Sequence, residues 1–421
     1  LTHTYFLSGD PDNKKLPKPS LPLALLSTSA FLKQKGIQHE VYDSTFQSYQ
    51  ELCGFLSRGR FSRVVVYVDR TTRETTVKLI RYIREQPELK EMYVILCGSD
   101  ACDHGEFYIE AGGDIFLTGE AEETLAELIN TLNTPMNPFL DKVDGIAFRN
   151  YFGKVVFNRA RESSIDADTL PFAGRDAAPV QKYLEAWRSR YGKKGLNICA
   201  EQGTNGSKRK RSPARVCAEA EELVRQFRPD VLWFDDSNFA ADPLWLNSFA
   251  EAMQQGSPGI PYECTIQPSA PDASVIADLK RSGCVRAWIA TEAAPNTERV
   301  SPGQLRGLLR QMRDAGLRSG IFVTLGNEAE TEKDIVDLAE YISEAQPGDL
   351  TVTAAYAVGS ADGRYAGSPF SREYYNNALR FIKNEVKYRT LPAWQQWLNP
   401  MAWLYRLRSL AAQDGMQRYK K

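Results

Sequence analysis

Val64-Val-Val-Tyr-Val68 runs directly into Asp69-Arg-Thr-Thr72 and then into the helical pattern Thr75–Glu85. A short apolar run rich in β-branched residues reads as a strand buried on both faces. The polar turn and helix after it complete a strand–turn–helix unit, whose repetition implies right-handed crossovers and a parallel sheet. The rhythm extends to either side. Strands are expected at Thr4–Leu7, His39–Tyr42, Tyr93–Leu96 and Ile115–Leu117, and helices at Leu21–Gln34, Tyr49–Leu56, Glu106–Ala111 and Ala121–Leu132. Residues 1–135 therefore predict a parallel sheet of five strands. Ligands of such sheets bind beyond the carboxyl ends of the strands. That places Ser8-Gly9, Asp69-Arg70-Thr71-Thr72, Gly98-Ser99-Asp100 and Thr118-Gly119-Glu120 on one rim.

Residues 136–190 interrupt the alternation. Pro135, Pro138 and the segment Gly145–Asn158 predict a linker with a β-hairpin turning near Asn150–Gly153, followed by an extended connector, Ser164–Asp176, around Pro171. From Gly195 the alternation resumes over residues 191–370. Strands are expected at Leu196–Ala200, Val231–Phe234, Glu263–Ile266, Ala287–Ala290, Gly320–Thr324 and Leu350–Ala354. Helices are expected at Pro213–Gln226, Pro243–Met253, Ala273–Arg281, Pro302–Ala315 and Glu332–Ala345. Six such units fit either a partial barrel or a second doubly wound sheet, and periodicity does not choose between them. Residues 371–421 read as a helical extension carrying Trp394, Trp397 and Trp403, a lid or buttress.

Composition sets limits on function. The chain has 421 residues, 43% apolar and 25% charged, with a net charge of −1. Those are the proportions of a globular protein, and nothing global draws it to nucleic acid or an anionic membrane. Lys208–Arg211 is a short basic run that reads as a solvated loop. No apolar stretch approaches the ~20 residues of a membrane span, and the amino-terminal residues do not read as a signal peptide. The seven cysteines, Cys53, Cys97, Cys102, Cys199, Cys217, Cys264 and Cys284, are an odd, scattered set. Reduced, mostly buried thiols in a cytoplasmic protein fit better than a disulfide scaffold.

Several collinear segments carry a resemblance. They are Pro19–Asp43 with Gly36-Ile-Gln-His-Glu-Val-Tyr-Asp43; Gly113-Asp-Ile-Phe-Leu-Thr-Gly-Glu-Ala-Glu-Glu-Thr124; and Val143 through the hairpin to Thr169-Leu-Pro-Phe172. Arg211-Ser-Pro213 follows with Phe234-Asp-Asp-Ser-Asn-Phe239, then Leu279–Cys284 with Ile289-Ala-Thr-Glu292, and lastly Gly320-Ile-Phe-Val-Thr-Leu-Gly-Asn-Glu-Ala-Glu-Thr331. Over about 350 residues the order resembles the cobalamin-binding radical SAM proteins. That resemblance implies a Rossmann-like, flavodoxin-like cobalamin-binding domain, a radical SAM-type partial (β/α)6 TIM barrel, and a helical carboxyl-terminal extension.

One departure matters as much as the match. The family carries Cys-x3-Cys-x2-Cys after the first barrel strand, where three thiolates hold a [4Fe–4S] cluster. Here that strand runs Asn197-Ile-Cys-Ala-Glu-Gln-Gly203 and continues Thr204-Asn-Gly-Ser-Lys-Arg-Lys-Arg-Ser-Pro213. Thr204 stands where the first cysteine is expected, and the loop is shortened. A cluster is therefore not expected.

The resemblance implies cobalamin over the first rim, base-off and without a histidine ligand, since Ser8–Pro22 contains none. Ser8, Asp69, Thr71, Thr72, Gly98, Ser99, Thr118, Gly119 and Glu120 are its candidate contacts. S-adenosylmethionine is the second implied cofactor, near Thr291 and Gly326. Asp235, Asp236, Glu292 and Tyr356 are candidate catalytic groups. Ordinary strand-end turns are the competing reading of the rim residues. His104, in Asp103-His104-Gly105, reads as a surface loop residue, with axial ligation of cobalt as the alternative. The implied activity is a cobalamin-dependent methyltransferase acting on a small molecule without radical chemistry, or other non-redox chemistry in the same pocket. The alternative is a non-catalytic cobalamin-binding subunit paired with a cluster-bearing homologue. Neither nucleic acid nor a membrane is expected as a partner.

Overall fold

The computed structural model describes residues 1–7, 19–134, 139–162, 165–203, 209–256, 259–267, 273–292, 300–326, 330–346, 349–354 and 370–418. They form two compact units, Leu1–Gly192 with Glu201–Arg211, and Lys193–Ala200 with Ser212–Lys421.

In the first unit, β1 (Thr2–His3), β2 (Arg63–Tyr67), β3 (Tyr93–Cys97) and β4 (Ile115–Leu117) are parallel neighbours in that order. The hairpin β5 (Ile146–Arg149) and β6 (Val155–Phe157) extends the same sheet antiparallel to β4. α1 (Leu23–Gln34), α2 (Tyr49–Gly59), α3 (Arg73–Glu85), α4 (Ser99–Glu110), α5 (Ala121–Leu132) and α6 (Val180–Tyr191) complete the unit. The strands are buried on both faces by alternation. Val64, Val66, Val94 and Leu96 pack with Ile80 and Ile83, while Val65, Ile95 and Cys97 pack with Leu32 and Leu125.

The expected five-stranded parallel sheet needs correction. His39–Tyr42 contributes one bridge, Tyr42 to Thr2, rather than a strand. His39 is held by Ser29 and the Ile37 carbonyl, which ties the segment before Tyr42 back to α1. Thr2 also pairs with Val66, so Tyr42 and β2 flank β1 and the strand order reverses there. The hairpin turns where expected, with Asn150 Oδ1 accepting the Phe152 and Lys154 amides at 3.0 Å each. It is a part of the sheet, because the edge of β4 offered an unpaired ladder. α4 begins at Ser99, so His104 lies inside a helix, at a kink, and not in a loop. Gly105 obscured this helix in the sequence. A Cβ there would stand 2.1 Å from the Phe116 ring, so close packing explains a residue that helix propensity disfavours.

The second unit opens with β7 (Gly195–Ile198). The chain then returns to the first unit as a small antiparallel ladder, β8 (Glu201–Gln202) with β9 (Arg209–Lys210). It re-enters the second unit through β10 (Val231–Phe234), β11 (Tyr262–Ile266), β12 (Cys284–Glu292), β13 (Arg318–Leu325) and β14 (Asp349–Ala354). These join β7 in one six-stranded parallel sheet whose order follows the chain without reversal. α7 (Pro213–Phe227), α8 (Pro243–Gly256), α9 (Ala273–Arg281), α10 (Pro302–Asp314) and α11 (Glu332–Ala345) alternate with the strands. Their starts are encoded locally. Ser212 caps α7 with Pro213 at the first position, and Ser301–Gln304 and Thr331–Asp334 form capping boxes for α10 and α11.

α12 (Arg372–Arg389), α13 (Ala393–Leu398) and α14 (Pro400–Arg418) end the described chain. Buried Glu385 of α12 receives Arg389 at 2.7 Å, Arg406 of α14 at 2.8 Å, and the Ser409 hydroxyl. Burial alone would raise its pKa, but these partners hold the carboxyl below its ordinary value. Among the described residues, no helix is long and apolar enough to cross a membrane.

Candidate functional site

The first unit gathers its strand tips at the carboxyl ends of β1–β4. Ser8 lies outside the described residues. After β2, the Asp69 carboxylate accepts the Thr71 amide at 2.7 Å, the Thr71 hydroxyl at 2.5 Å and the Thr72 amide at 3.1 Å. Thr72 Oγ1 in turn accepts the Asp69 amide at 3.0 Å. The turn is thus internally bonded, a rigid entry to α3, with Asp69 exposed and Thr71 half-buried.

Gly98 follows β3 at φ +104°, and a Cβ there would fall 2.4 Å from the Val68 carbonyl oxygen. The same carbonyl accepts the Asp100 amide at 3.3 Å. A side chain would force the loops after β2 and β3 apart. Gly98→Ala is expected to cost about 1–3 kcal/mol, read by urea denaturation. A change below about 0.5 kcal/mol, the range of ordinary surface substitutions, would refute the close-approach argument.

Behind this rim, Asp100 is buried and receives Arg73 through Nε at 2.8 Å and Nη2 at 2.5 Å, with the Tyr108 hydroxyl on the same carboxylate. His104 Nδ1 lies 3.0 Å from Arg73 Nη2. A second buried network stands at the tip of β1. The Tyr5 amide donates to His3 Nδ1 at 3.2 Å, which fixes the proton on Nε2, where it is given to Asp43 at 3.0 Å. Tyr183 of α6 donates to Asp43 at 2.8 Å. Burial would raise the Asp43 pKa, but the bonds from His3 and Thr45 hold it below the ordinary value. Neither network was foreseen, because the bonds that bring their separate segments together span 27 to 140 residues of sequence.

At β4, Thr118 and Gly119 are half-buried, and a Cβ on Gly119 would meet nothing within 4 Å among the described residues. Glu120 is engaged by Arg209 of β9, through Nε at 3.2 Å and through Nη2, while Arg209 Nη1 reaches the Ile165 carbonyl. The short ladder that follows β7 is therefore anchored to the rim by an ion pair. Beside Arg209 in that ladder, Gln202 Oε1 is buried without a hydrogen-bond partner among the described residues. Burial pushes the Glu122 carboxyl of α5 above its ordinary range; a backbone N–H opposes this and the neighbouring Glu120 adds to it.

In the second unit, one sheet face packs against helices through Phe234, Tyr262, Phe239 and Phe249, whose rings lie 4.3 to 6.0 Å apart. The alternate residues form a polar and aromatic face. Trp233 stands opposite Asn197 and Glu263, Glu263 opposite Arg286, and Trp288 opposite Thr265 and Gly320. Trp288 donates to Glu263 at 3.0 Å, with the Arg286 guanidinium 5.0 Å from its ring centroid. The indole covers Gly320, where a Cβ would stand 2.5 Å from it. Asn197, Trp233, Glu263, Arg286 and Trp288 were not among the sequence candidates, although alternation along β10–β12 marks them.

The strand ends divide the remaining candidates. Asp235 is exposed, with Asn197 Nδ2 and Trp233 Nε1 each 3.4 Å from its carboxylate. Asp236 is buried and accepts the Ala200 amide at 2.9 and 3.0 Å, so it positions the exit of β7. Thr291 is half-buried at the end of β12. Glu292 is placed by its backbone opposite Thr324, and Tyr356 lies outside the described residues. Gly326 turns at φ +103° after β13 and donates its amide to Glu330 at 3.1 Å. Among the described residues, no group of three or more His, Cys, Asp or Glu side chains could hold a metal ion. Five cysteines are buried, and Cys102 and Cys199 are half-buried.

No family model and no curated protein matches the chain. Solved structures do. TsrM from Kitasatospora setae, a radical S-adenosylmethionine methyltransferase with cobalamin and a [4Fe–4S] cluster bound, aligns at TM-score 0.62 and 15% identity, covering 84% of this chain and 74% of that one. TsrM with tryptophan and aza-SAM bound aligns at 0.63 and 16%, covering 84% and 72%. OxsB, a cobalamin-dependent S-adenosylmethionine radical enzyme with aqua-cobalamin and S-adenosylmethionine bound, aligns at 0.61 and 14%, covering 92% of this chain and 56% of its own. The chain has the fold of the cobalamin-dependent radical SAM enzymes. It spans about half the length of OxsB. In this chain the segment after β7, which carries no cysteine beyond Cys199, returns as the Arg209-anchored ladder.

Proposed function

We propose that the chain is a cobalamin-dependent enzyme that works without an iron–sulfur cluster and transfers a methyl group to a small metabolite by two-electron chemistry. The observation that carries this reading is the likeness to cobalamin-bound relatives over 84% of the chain, combined with an Arg209–Glu120 anchored ladder after β7 in place of a cysteine loop. The cysteines do not fit a cluster. None stands in Cys-x3-Cys-x2-Cys spacing, and Cys217 is buried in α7 with burial pushing its thiol up to about 11.

Cobalamin fits the first rim better. The order Tyr42–β1–β2–β3–β4 is that of a flavodoxin-like sheet, with its reversal at β1. Gly119 leaves open space, Asp69 and Ser99 are exposed, and Gln202 Oε1 is a buried acceptor suited to a carboxamide N–H of the corrin periphery. His3 and His39 have both ring nitrogens in hydrogen bonds, which supports binding without either as a cobalt ligand. When bound, cobalamin supplies a cobalt nucleophile suited to two-electron methyl transfer. In the second unit, a strand order without reversal suits a partial β/α barrel. Exposed Asp235 would hold an ammonium group, S-adenosylmethionine being the candidate that brings one, and buried Asp236 would keep the end of β7 in place beside it.

Protein prepared anaerobically is expected to show corrin absorption and stoichiometric cobalt with no iron, measured by ultraviolet–visible spectroscopy and elemental analysis. Labelled methyl transfer from S-adenosylmethionine to an extract component would then establish the enzyme. Stoichiometric iron and sulfide would overturn the cluster-free reading. A colourless protein that ignores hydroxocobalamin would overturn the cofactor assignment. A tight complex with a cluster-bearing homologue, with no turnover alone, would replace the enzyme by a subunit.

A further inference from the structure

The segment Ser371–Lys421 holds ten lysines and arginines against three acidic residues, a net charge of +7 in a chain whose total is −1. The rest of the protein therefore carries −8. The same segment exposes apolar side chains. α14 uses its small residues, Ala402, Ser409 and Ala412, for the buried side, and Gly415 sits so close to Asn377 of α12 that a Cβ would lie 2.7 Å away. The opposite side of α14 carries Trp403, Leu407 and Leu410 at i, i+4 and i+7, exposed by 51%, 61% and 45%. Trp394 of α13 is exposed by 64%, and Arg408 is exposed beside the stripe.

An apolar stripe with this spacing ordinarily faces a core. Here the core side is already filled, and Leu407 and Leu410 still face solvent. Leucines gain from hydrocarbon, tryptophans favour the water–hydrocarbon boundary, and lysines and arginines favour anions. One occupant meets all three demands. We infer that the α13–α14 face docks on an anionic phospholipid surface, as a peripheral contact that leaves the chain outside the bilayer core. A second copy using the same face would bring two +7 segments together, against like-charge repulsion. Nucleic acid would engage the cations but leave Leu407 and Leu410 in water.

The test uses the full chain with vesicles of phosphatidylcholine alone or mixed with phosphatidylglycerol. Co-sedimentation with the mixed vesicles is expected, with a blue shift of tryptophan emission. Binding should weaken at least about tenfold in high salt or on pure phosphatidylcholine. The double variant Leu407→Glu, Leu410→Glu should lose binding to the same extent while keeping the wild-type urea midpoint, because both positions face solvent. Absence of binding to the mixed vesicles, or equal binding by the variant, would overturn the inference. A dimer abolished by the variant, without vesicle binding, would assign the face to self-association. Retention on an oligonucleotide without vesicle binding would assign it to nucleic acid. None of these readouts depends on cobalt, iron or turnover, so the inference and the proposed chemistry fail separately.

Discussion

Asp100→Ala is expected to lower the stability of the first unit by about 3–5 kcal/mol, the usual cost of leaving one partner of a buried ion pair alone. The carboxylate is buried and serves three donors at once: Arg73 Nε at 2.8 Å, Arg73 Nη2 at 2.5 Å, and the Tyr108 hydroxyl. Removing it strands the Arg73 guanidinium in a site with little water and orphans a fully buried phenol. In urea the midpoint should fall by about 1–2 M at ordinary m-values. The double variant Arg73→Met, Asp100→Leu should recover most of that loss, because no unpaired charge remains. A loss below about 1 kcal/mol for the single variant, in the range of exposed pairs, would show that the network is not sealed from solvent. The network also has a pH signature. Burial would raise the Asp100 pKa, but the Arg73 and Tyr108 bonds outweigh it and hold the folded value below the unfolded one. The contribution is therefore complete above about pH 4 and is lost as pH falls through the depressed folded value. Asp100→Ala should flatten that acid limb of the stability curve.

Gly119→Leu should weaken hydroxocobalamin binding at least about tenfold, a loss of about 1.4 kcal/mol or more, while leaving the fold intact. A Cβ at this position meets nothing within 4 Å among the described residues, so the added side chain projects away from them at the tip of β4. Stability is expected to change by no more than about 0.5 kcal/mol. If that space receives the corrin, filling it competes with the cofactor directly. Absorbance titration of the variant beside the wild type reads the affinity, and urea denaturation reads the stability. Wild-type affinity in a stably folded variant would remove the β4 tip from the cofactor site. The contrast with Gly98 is useful, since there the space is already taken by the Val68 carbonyl.

Long periodic segments were legible because their burial pattern is local. β10, α5, α9 and α11 fall on the expected residues, Val231–Phe234, Ala121–Leu132, Ala273–Arg281 and Glu332–Ala345. The failures have tertiary causes. His39–Tyr42 has strand composition, but the His39 bonds to Ser29 and Ile37 keep all but Tyr42 off the sheet. The first half of α4 was hidden by Gly105, whose value lies in contact with Phe116. α6 was read as linker, although Tyr183 and Trp187 on it bind Asp43 and the Pro19 carbonyl.

The candidate site was legible as a set of strand ends and illegible as a set of partners. Asp235 and Asp236 were adjacent candidates of the same type, yet one faces solvent and the other holds the Ala200 amide. Glu120 was foreseen at the rim, whereas its partner Arg209 belonged to what read as a solvated basic run. Net charge hides a related distinction. A total of −1 averages an acidic body with a basic tail, and surface chemistry depends on where charge lies.

The ladder of β8 and β9 has a consequence for dissecting the protein. The polypeptide leaves the first unit at Gly192, returns to it at Glu201 and departs again after Arg211. The two halves are thus interleaved along the chain, and no single break yields both of them whole. A fragment ending at Gly192 keeps Glu120 but forfeits Arg209, exposing a mostly buried carboxylate without its counter-charge. Truncations drawn from linear order would confuse a severed anchor with a missing activity.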